Sequence, residues 1–239
     1  MTTTTQRIVF LDTETTGLEH AGGDRVVEIG CIEMLNRRLT GRHVHWALNP
    51  ERSSSPEALR VHGLSDEFLS KQPLFKAVAD ELLDFVAGAE LVIHNAAFDL
   101  GFLNAELARI GRPPLAKHVA GVTDSLMLAR ETYPGKANSL DALCKRLEVD
   151  ASGRTVHGAL LDAGLLAEVY IRMTRGQGSL VIDAGAEAAG TAEHKSVDLS
   201  TFELRVLAPN DDEAAAHDAM LSELDKASGG KTIWRRAMA

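Results

Sequence analysis

Only 2 of the 239 residues are cysteine, Cys31 and Cys144, which excludes a disulfide framework or a Cys-based zinc site and fits a reducing compartment. No apolar run approaches the ~18 residues of a membrane span, and residues 1–7 hold no apolar signal region, so a cytoplasmic protein is expected. Positive charge is also scarce, with 25 Lys and Arg against 34 Asp and Glu and a net charge of −9. Long polyanions are held by clusters of Lys and Arg, so this chain is not built to grip one alone. Apolar content is ample: 45% of residues are hydrophobic, enough for one sizeable core with some chain left over.

The most informative segment is Arg7-Ile-Val-Phe-Leu-Asp12-Thr-Glu14-Thr, a strand over residues 8–11 running into two carboxylates one residue apart. Strand side chains alternate faces, so Asp12 and Glu14 project together. Held that close, like charges repel unless a cation neutralises them, and oxygen-only ligands suit hard ions such as Mg2+ or Mn2+. An isolated D-x-E is more often a solvated strand end, so further carboxylates are required.

They occur downstream. In Leu91-Val-Ile-His-Asn95-Ala-Ala-Phe-Asp99 a short strand leads into a helix carrying Phe102, Leu103 and Leu107, with Asp99 in its first turn. Taken alone, Asp99 reads as an acid favoured by the helix dipole. In His157-Gly-Ala-Leu-Leu-Asp162, the apolar continuation Leu165, Leu166, Val169 and Tyr170 marks a packed helix, with His157 near its start and Asp162 about a turn and a half on.

In this order, D-x-E, then N-x-x-F-D, then H-x-x-x-x-D resembles the DEDD-type exonucleases that keep a histidine in their last motif. The match extends through Val61-His62-Gly-Leu, Val122-Thr-Asp124-Ser-Leu, Asn138-Ser-Leu-Asp-Ala-Leu-Cys144 and His157-Gly-Ala-Leu-Leu-Asp-Ala163, with spacings like those of the proofreading subunits of bacterial replicative DNA polymerases, over about residues 7–177. The resemblance implies a metal-dependent 3′→5′ DNA exonuclease using two divalent cations, Mg2+ or Mn2+. Asp12 is then the bridging ligand, Glu14 and Asp162 complete one site, and Asp99 helps to hold the second. His157 is the implied general base, suited by an ordinary pKa of about 6.5. Thr13 and Thr15 flank the acids and can meet the terminal nucleotide. Glu57 and His62 match positions that line the family's nucleotide pocket, where His62 can stack or hydrogen-bond. Asn95 and Phe98 could add a wall, although Phe98 reads better as core. Asp124 reads as a helix cap, His94 as a strand-end residue and Asp141 as a helix-surface acid. With so little positive charge, a partner is expected to hold the duplex and deliver a frayed single-stranded end.

The pattern predicts strands at 8–11, 26–34, 42–48, 90–93 and 119–122, with a turn at 36–41, and helices at 74–86, 99–110, 126–132, 139–147 and 158–173. This resembles an α/β, ribonuclease H-like mixed five-stranded sheet flanked by helices, with the Asp12 strand central. Residues 1–178 are expected to form the nuclease domain and 179–199 a linker whose small residues cannot build a core. Residues 200–239 are expected to form a partner-binding tail. Gln177-Gly-Ser-Leu180-Val-Ile182 resembles peptides that dock on the bacterial sliding clamp (beta). The tail is too short for its own core, yet carries an alternating segment at 202–206 and a helix opened by Asn210, with Leu221 and Leu224 on one stripe, a Gly229-Gly230 stop and Trp234 beyond. By resemblance its partner is the polymerase catalytic alpha subunit, with Leu221, Leu224 and Trp234 as anchors. The rival readings are a related exoribonuclease, for which such a tail has no obvious use, and a non-catalytic structural subunit of the polymerase, which would need none of the acids.

Overall fold

The computed structural model describes residues 6–152, 156–175 and 209–229. The chain divides into two compact units, Met1–Asp183 and Ala184–Ala239. The expected clamp-contact residues Gln177 and Leu180, the linker, the 202–206 segment and Trp234 lie outside the described residues.

Five strands of the first unit, β1 Arg7–Thr15, β2 Val26–Leu35, β3 Arg38–Ala47, β4 Glu90–Ile93 and β5 Gly121–Asp124, form one sheet in the order β3-β2-β1-β4-β5. β1 is central, antiparallel to β2 and parallel to β4, and β4 is parallel to β5. The carboxyl ends of β1, β4 and β5 therefore share one edge of the sheet. Among the described residues of this unit the α-helices are α1 Pro56–His62, α2 Asp66–Leu69, α3 Phe75–Val86, α4 Ala96–Arg109, α5 Ser125–Thr132, α6 Leu140–Arg146 and α7 Ala159–Met173.

The two faces of β1 sort its side chains by parity. Val9 and Leu11 join a core with Phe75, Leu82, Phe102 and Leu103 from α3 and α4. Ile8 and Phe10 join a second core with Leu143, Leu166 and Val169 from α6 and α7. Continuing that alternation, Asp12 and Glu14 face the α7 side and Thr13 the α4 side.

β1 runs on to Thr15 rather than ending at 11, so Asp12 and Glu14 lie within the strand; four further details differ from the sequence expectation. The β2–β3 hairpin closes through only Asn36 and Arg37, with φ of 47° and 63°, so β3 begins at Arg38 rather than 42. Two left-handed residues suit the twist of a two-residue hairpin, and asparagine tolerates that conformation. β5 spans Gly121–Asp124 rather than 119–122, because pairing with Glu90–Ile93 sets its register. α4 starts at Ala96 instead of 99, since the carboxylate of Asp124, itself the α5 cap, also accepts from the Asn95 and Ala96 amides. α1 and α2 were not expected as helices, although Ser55 and Ser65 cap them and Pro56 occupies the first turn of α1.

In the second unit, α8 Asp211–Ser228 opens on a capping box between Asn210 and Glu213 and ends at Gly229 with φ 64°, as its terminal residues predict. Along its stripe Leu224 is exposed but Leu221 is buried, so of the two expected anchors among the described residues only Leu224 is open to a partner.

One contact fixes where α7 starts. A Cβ at Gly30 of β2 would lie 2.3 Å from the Ala159 carbonyl carbon and the Leu160 nitrogen, both backbone atoms that cannot swing aside. The helix N-terminus therefore rests on the sheet only because residue 30 has no side chain. Gly30→Ala is expected to cost about 3 kcal/mol, the upper range for overpacking, and to lower the melting temperature by roughly 10 °C. An unchanged thermal melt would show that α7 is not held at this distance.

Candidate active site

The carboxyl end of β1 brings Glu14 under the first turn of α7. Ligand atoms of Glu14, His157 and Asp162 all lie within 4.8 Å of one another. Glu14 and Asp162 are buried, while His157 is half exposed, its Nδ1 lying 3.2 Å from Asp162 Oδ2. The loop carrying His157 is held on its other side by the His157 amide, which donates to the Val61 carbonyl at the end of α1. Asp12, two residues before Glu14 on the same strand face, is half-buried and stands opposite Gly30 in the sheet. It lies outside the 4.8 Å group of three.

Asp99 reaches the strand from the α4 side. Its Oδ1 accepts hydrogen bonds from the Thr13 amide at 3.0 Å and the Thr13 hydroxyl at 2.7 Å. Burial drives the Asp99 pKa up from 3.8 to about 7, against the lowering effect of the Thr13 hydrogen bonds. Like Asp12, Asp99 lies outside the group of three, but a carboxyl so destabilised as an anion suits a site completed by a cation. The donor set, three or four hard oxygens and one imidazole, fits Mg2+ or Mn2+.

Beside the cluster opens a cavity of about 370 Å³ lined by Thr13, Glu14, Thr15, Leu18, Glu57, Val61, His62 and Phe98, among others. Thus Thr13, Thr15, Glu57 and His62, expected at the substrate, do converge. The two threonines differ from expectation in how they are used: Thr13 is committed to Asp99, and the Thr15 hydroxyl donates to the Gly17 carbonyl, closing the turn. Phe98 serves as both wall and core, its ring 4.9 Å from that of Phe102. Asn95 is not among the lining residues; with φ 66° it forms the exposed corner between β4 and α4.

His62 is buried, and its Nδ1 accepts from the Leu64 amide at 2.9 Å, so in the neutral ring the proton sits on Nε2. Burial lowers its pKa below the ordinary histidine value, against the opposing pull of Glu28 and Asp66. The Nε2 atom is buried without a hydrogen-bond partner among the described residues. His94 and Asp141 stay structural: His94 Nδ1 pairs with the Ser125 hydroxyl, and Asp141 lies exposed in the first turn of α6. Sequence reading missed Glu28 and Gly30 on β2, and Leu18 and Ser55 around the cavity. An acid inside the apolar run Val-Val-Glu28-Ile was the available signal.

Carboxylates gathered at the end of the central strand of a ribonuclease H-like sheet, beside a cavity, define a nuclease of the exonuclease class. The family profile described as Exonuclease (RNase_T) matches residues 9–170. The chain is 49% identical over 243 residues to the DNA polymerase III subunit epsilon of Escherichia coli K12, covering 98% of this chain and 100% of that one. It is 44% identical to the same subunit of Haemophilus influenzae, covering 95% and 94%. The chain belongs to the family of DNA polymerase III epsilon subunits. Among solved structures, Exonuclease X in complex with 5′-overhanging duplex DNA superimposes with a TM-score of 0.57 at 23% identity, covering 72% of this chain and 93% of that one. E. coli Exonuclease I in complex with a dT13 oligonucleotide gives 0.65 at 19%, covering 73% and 42%. At those identities the likeness establishes the shared fold.

The raised Asp99 pKa has a testable sign. A carboxyl whose folded pKa lies above its unfolded value favours folding at low pH, and that contribution is lost as pH rises from about 3.8 through about 7. In chelator, Asp99→Asn should melt above wild type at pH 8, and the difference should close near pH 4, because asparagine keeps an oxygen for Thr13 without the buried charge. Equal melting at every pH would remove burial as the cause.

Proposed function

We propose that this protein removes nucleotides from 3′ DNA ends and proofreads for a bacterial replicative DNA polymerase. The observation that carries the reading is the Glu14, His157 and Asp162 cluster, whose Glu14 also lines a cavity of about 370 Å³. It stands in a chain related along nearly its whole length to epsilon subunits.

The chain's own groups divide the work. Asp12, Glu14 and Asp162 from the α7 side of β1, and Asp99 from the α4 side, would hold two divalent cations, Mg2+ or Mn2+. Those cations supply Lewis-acid stabilisation of the attacking and leaving oxygens of an in-line phosphodiester displacement. His157 accepts the proton of the attacking water, oriented by Asp162 at 3.2 Å. His62 donates from Nε2 to an oxygen of the terminal nucleotide. Phe98 and Leu18 offer apolar surface to its base or sugar. Glu57, exposed at the rim, can accept from a sugar hydroxyl. A frayed, mispaired end, which frees its terminal residue to enter the cavity, is the better substrate.

The test is digestion of a 5′-labelled primer, paired or 3′-mismatched, with matched RNA alongside, in Mg2+ or EDTA. Wild type should shorten the mismatched DNA fastest. Asp12→Ala/Glu14→Ala should be inactive, and His157→Ala should lose at least about 100-fold in turnover, the scale of general base catalysis, while still binding Mn2+. Cleavage of RNA alone would replace the substrate assignment, and inactivity with every metal would leave a structural subunit.

The alpha subunit is the proposed partner of the tail, and the sliding clamp of Gln177–Ile182. In support, α8 exposes Met220 and Leu224, apolar side chains with no cover of their own. Deleting residues 200–239 should abolish co-purification with alpha yet leave nuclease activity intact, and Gln177→Ala/Leu180→Ala should weaken clamp binding in calorimetry. Loss of nuclease activity on truncation would refute a modular tail.

A further inference from the structure

We infer that Glu28 is a positioning residue for the catalytic helix: its carboxylate, carried on β2, supplies the N-terminal cap that α7 lacks and so sets His157 and Asp162 against Glu14. This deepens the exonuclease reading of the same site and rests on it.

The helix cannot cap itself. Its N-cap is Gly158, which has no side chain to accept from the first-turn amides. In its place Glu28 Oε2 accepts from the Ala159 amide at 2.9 Å, across 131 residues of sequence. The second oxygen, Oε1, lies 2.6 Å from His45 Nε2 on β3. Both oxygens are thus engaged by groups outside the metal-ligating set. A carboxylate at a helix N-terminus also faces the positive end of the helix dipole.

Position makes this more than a packing contact. Glu28 is the direct cross-strand partner of Glu14, so both acids share the face that α7 covers. Two buried carboxylates there repel, and Glu28 is nonetheless outside the 4.8 Å group formed by Glu14, His157 and Asp162. The amide it holds lies two residues after His157 and three before Asp162. Gly30, the next residue on the same face, sets how closely the helix approaches, while Glu28 sets where its first turn lies along the sheet. A shift of that turn by a fraction of an ångström changes every distance in the cluster, and misplacement of about 1 Å can cost on the order of 100-fold in rate.

The experiment compares Glu28→Ala, Glu28→Gln and His45→Ala with wild type in turnover on a 3′-mismatched primer, in Mn2+ binding by calorimetry without DNA, and in amide exchange at Ala159. Glu28→Ala should lose about 10- to 100-fold in kcat with KM nearly constant, bind Mn2+ more weakly and exchange the Ala159 amide faster. Glu28→Gln, which keeps an oxygen to accept from Ala159, should recover most of the turnover and the slow exchange. His45→Ala should speed the exchange by a smaller factor. A glutamine variant as impaired in turnover as the alanine one, with exchange still slow, would overturn the inference and make the charge itself the acting group. An alanine variant with wild-type kcat would overturn it as well. If Glu28→Ala fails to fold, the glutamine and His45 variants decide by the same criteria. Exchange and Mn2+ binding need no DNA, so a wild-type protein that fails to cut DNA would count against the nuclease reading alone.

Discussion

The site depends on how closely a helix end can approach a sheet. The first turn of α7 touches β2 at a residue with no side chain, and that contact brings Asp162 and His157 to within ligand distance of Glu14 on the neighbouring strand. A helix on a sheet normally stands off by the thickness of two side-chain layers, about 10 Å between axes, so side chains from both would meet only at their tips. Removing one layer at Gly30 lets short acids from both elements share one small volume. The parity of β1 then divides the remaining work, sending Asp12 and Glu14 toward α7 while Thr13 turns to the other face and restrains Asp99.

Gathering acids in this way opposes folding, and the structure limits the opposition locally. Asp99 keeps one oxygen on two Thr13 donors, which lowers its pKa without offsetting the effect of burial. Both oxygens of Glu28 are engaged, one by His45 and one by an α7 amide. Asp12, Glu14, Asp99 and Asp162 are the acids where a bound divalent cation would contribute most. Metal binding and stability are therefore coupled, because the cation relieves a repulsion the fold has already built in.

Several elements were legible because their signals are local. The capping residues Ser139, Asp124 and Asn210, the apolar period of α3 and the Gly229 stop place helices within one or two residues of their observed ends. β1 and β4 could be read from β-branched runs. The misses have a different origin. The hairpin at Asn36 and Arg37 depends on pairing across β2 and β3, the start of α4 depends on Asp124 from another element, and the register of β5 depends on β4. The short helices α1 and α2 are two turns or less, and only their serine caps announce them.

The catalytic candidates followed a similar division. Asp12, Glu14, Asp99, His157 and Asp162 could be named from the chain alone, since residue type and the two-residue strand period fix which acids share a face, and a resemblance ordered the three motifs. Which atoms meet was decided by tertiary structure. Thr13 lines the cavity and also supports Asp99, Asn95 forms a backbone corner, and Glu28 and Gly30, ordinary in sequence, set the position of α7. Local sequence determines periodicity, caps and charge, because these depend on neighbours a few residues away. Distances between groups more than a hundred residues apart depend on how two elements pack, and no pattern within either one specifies that.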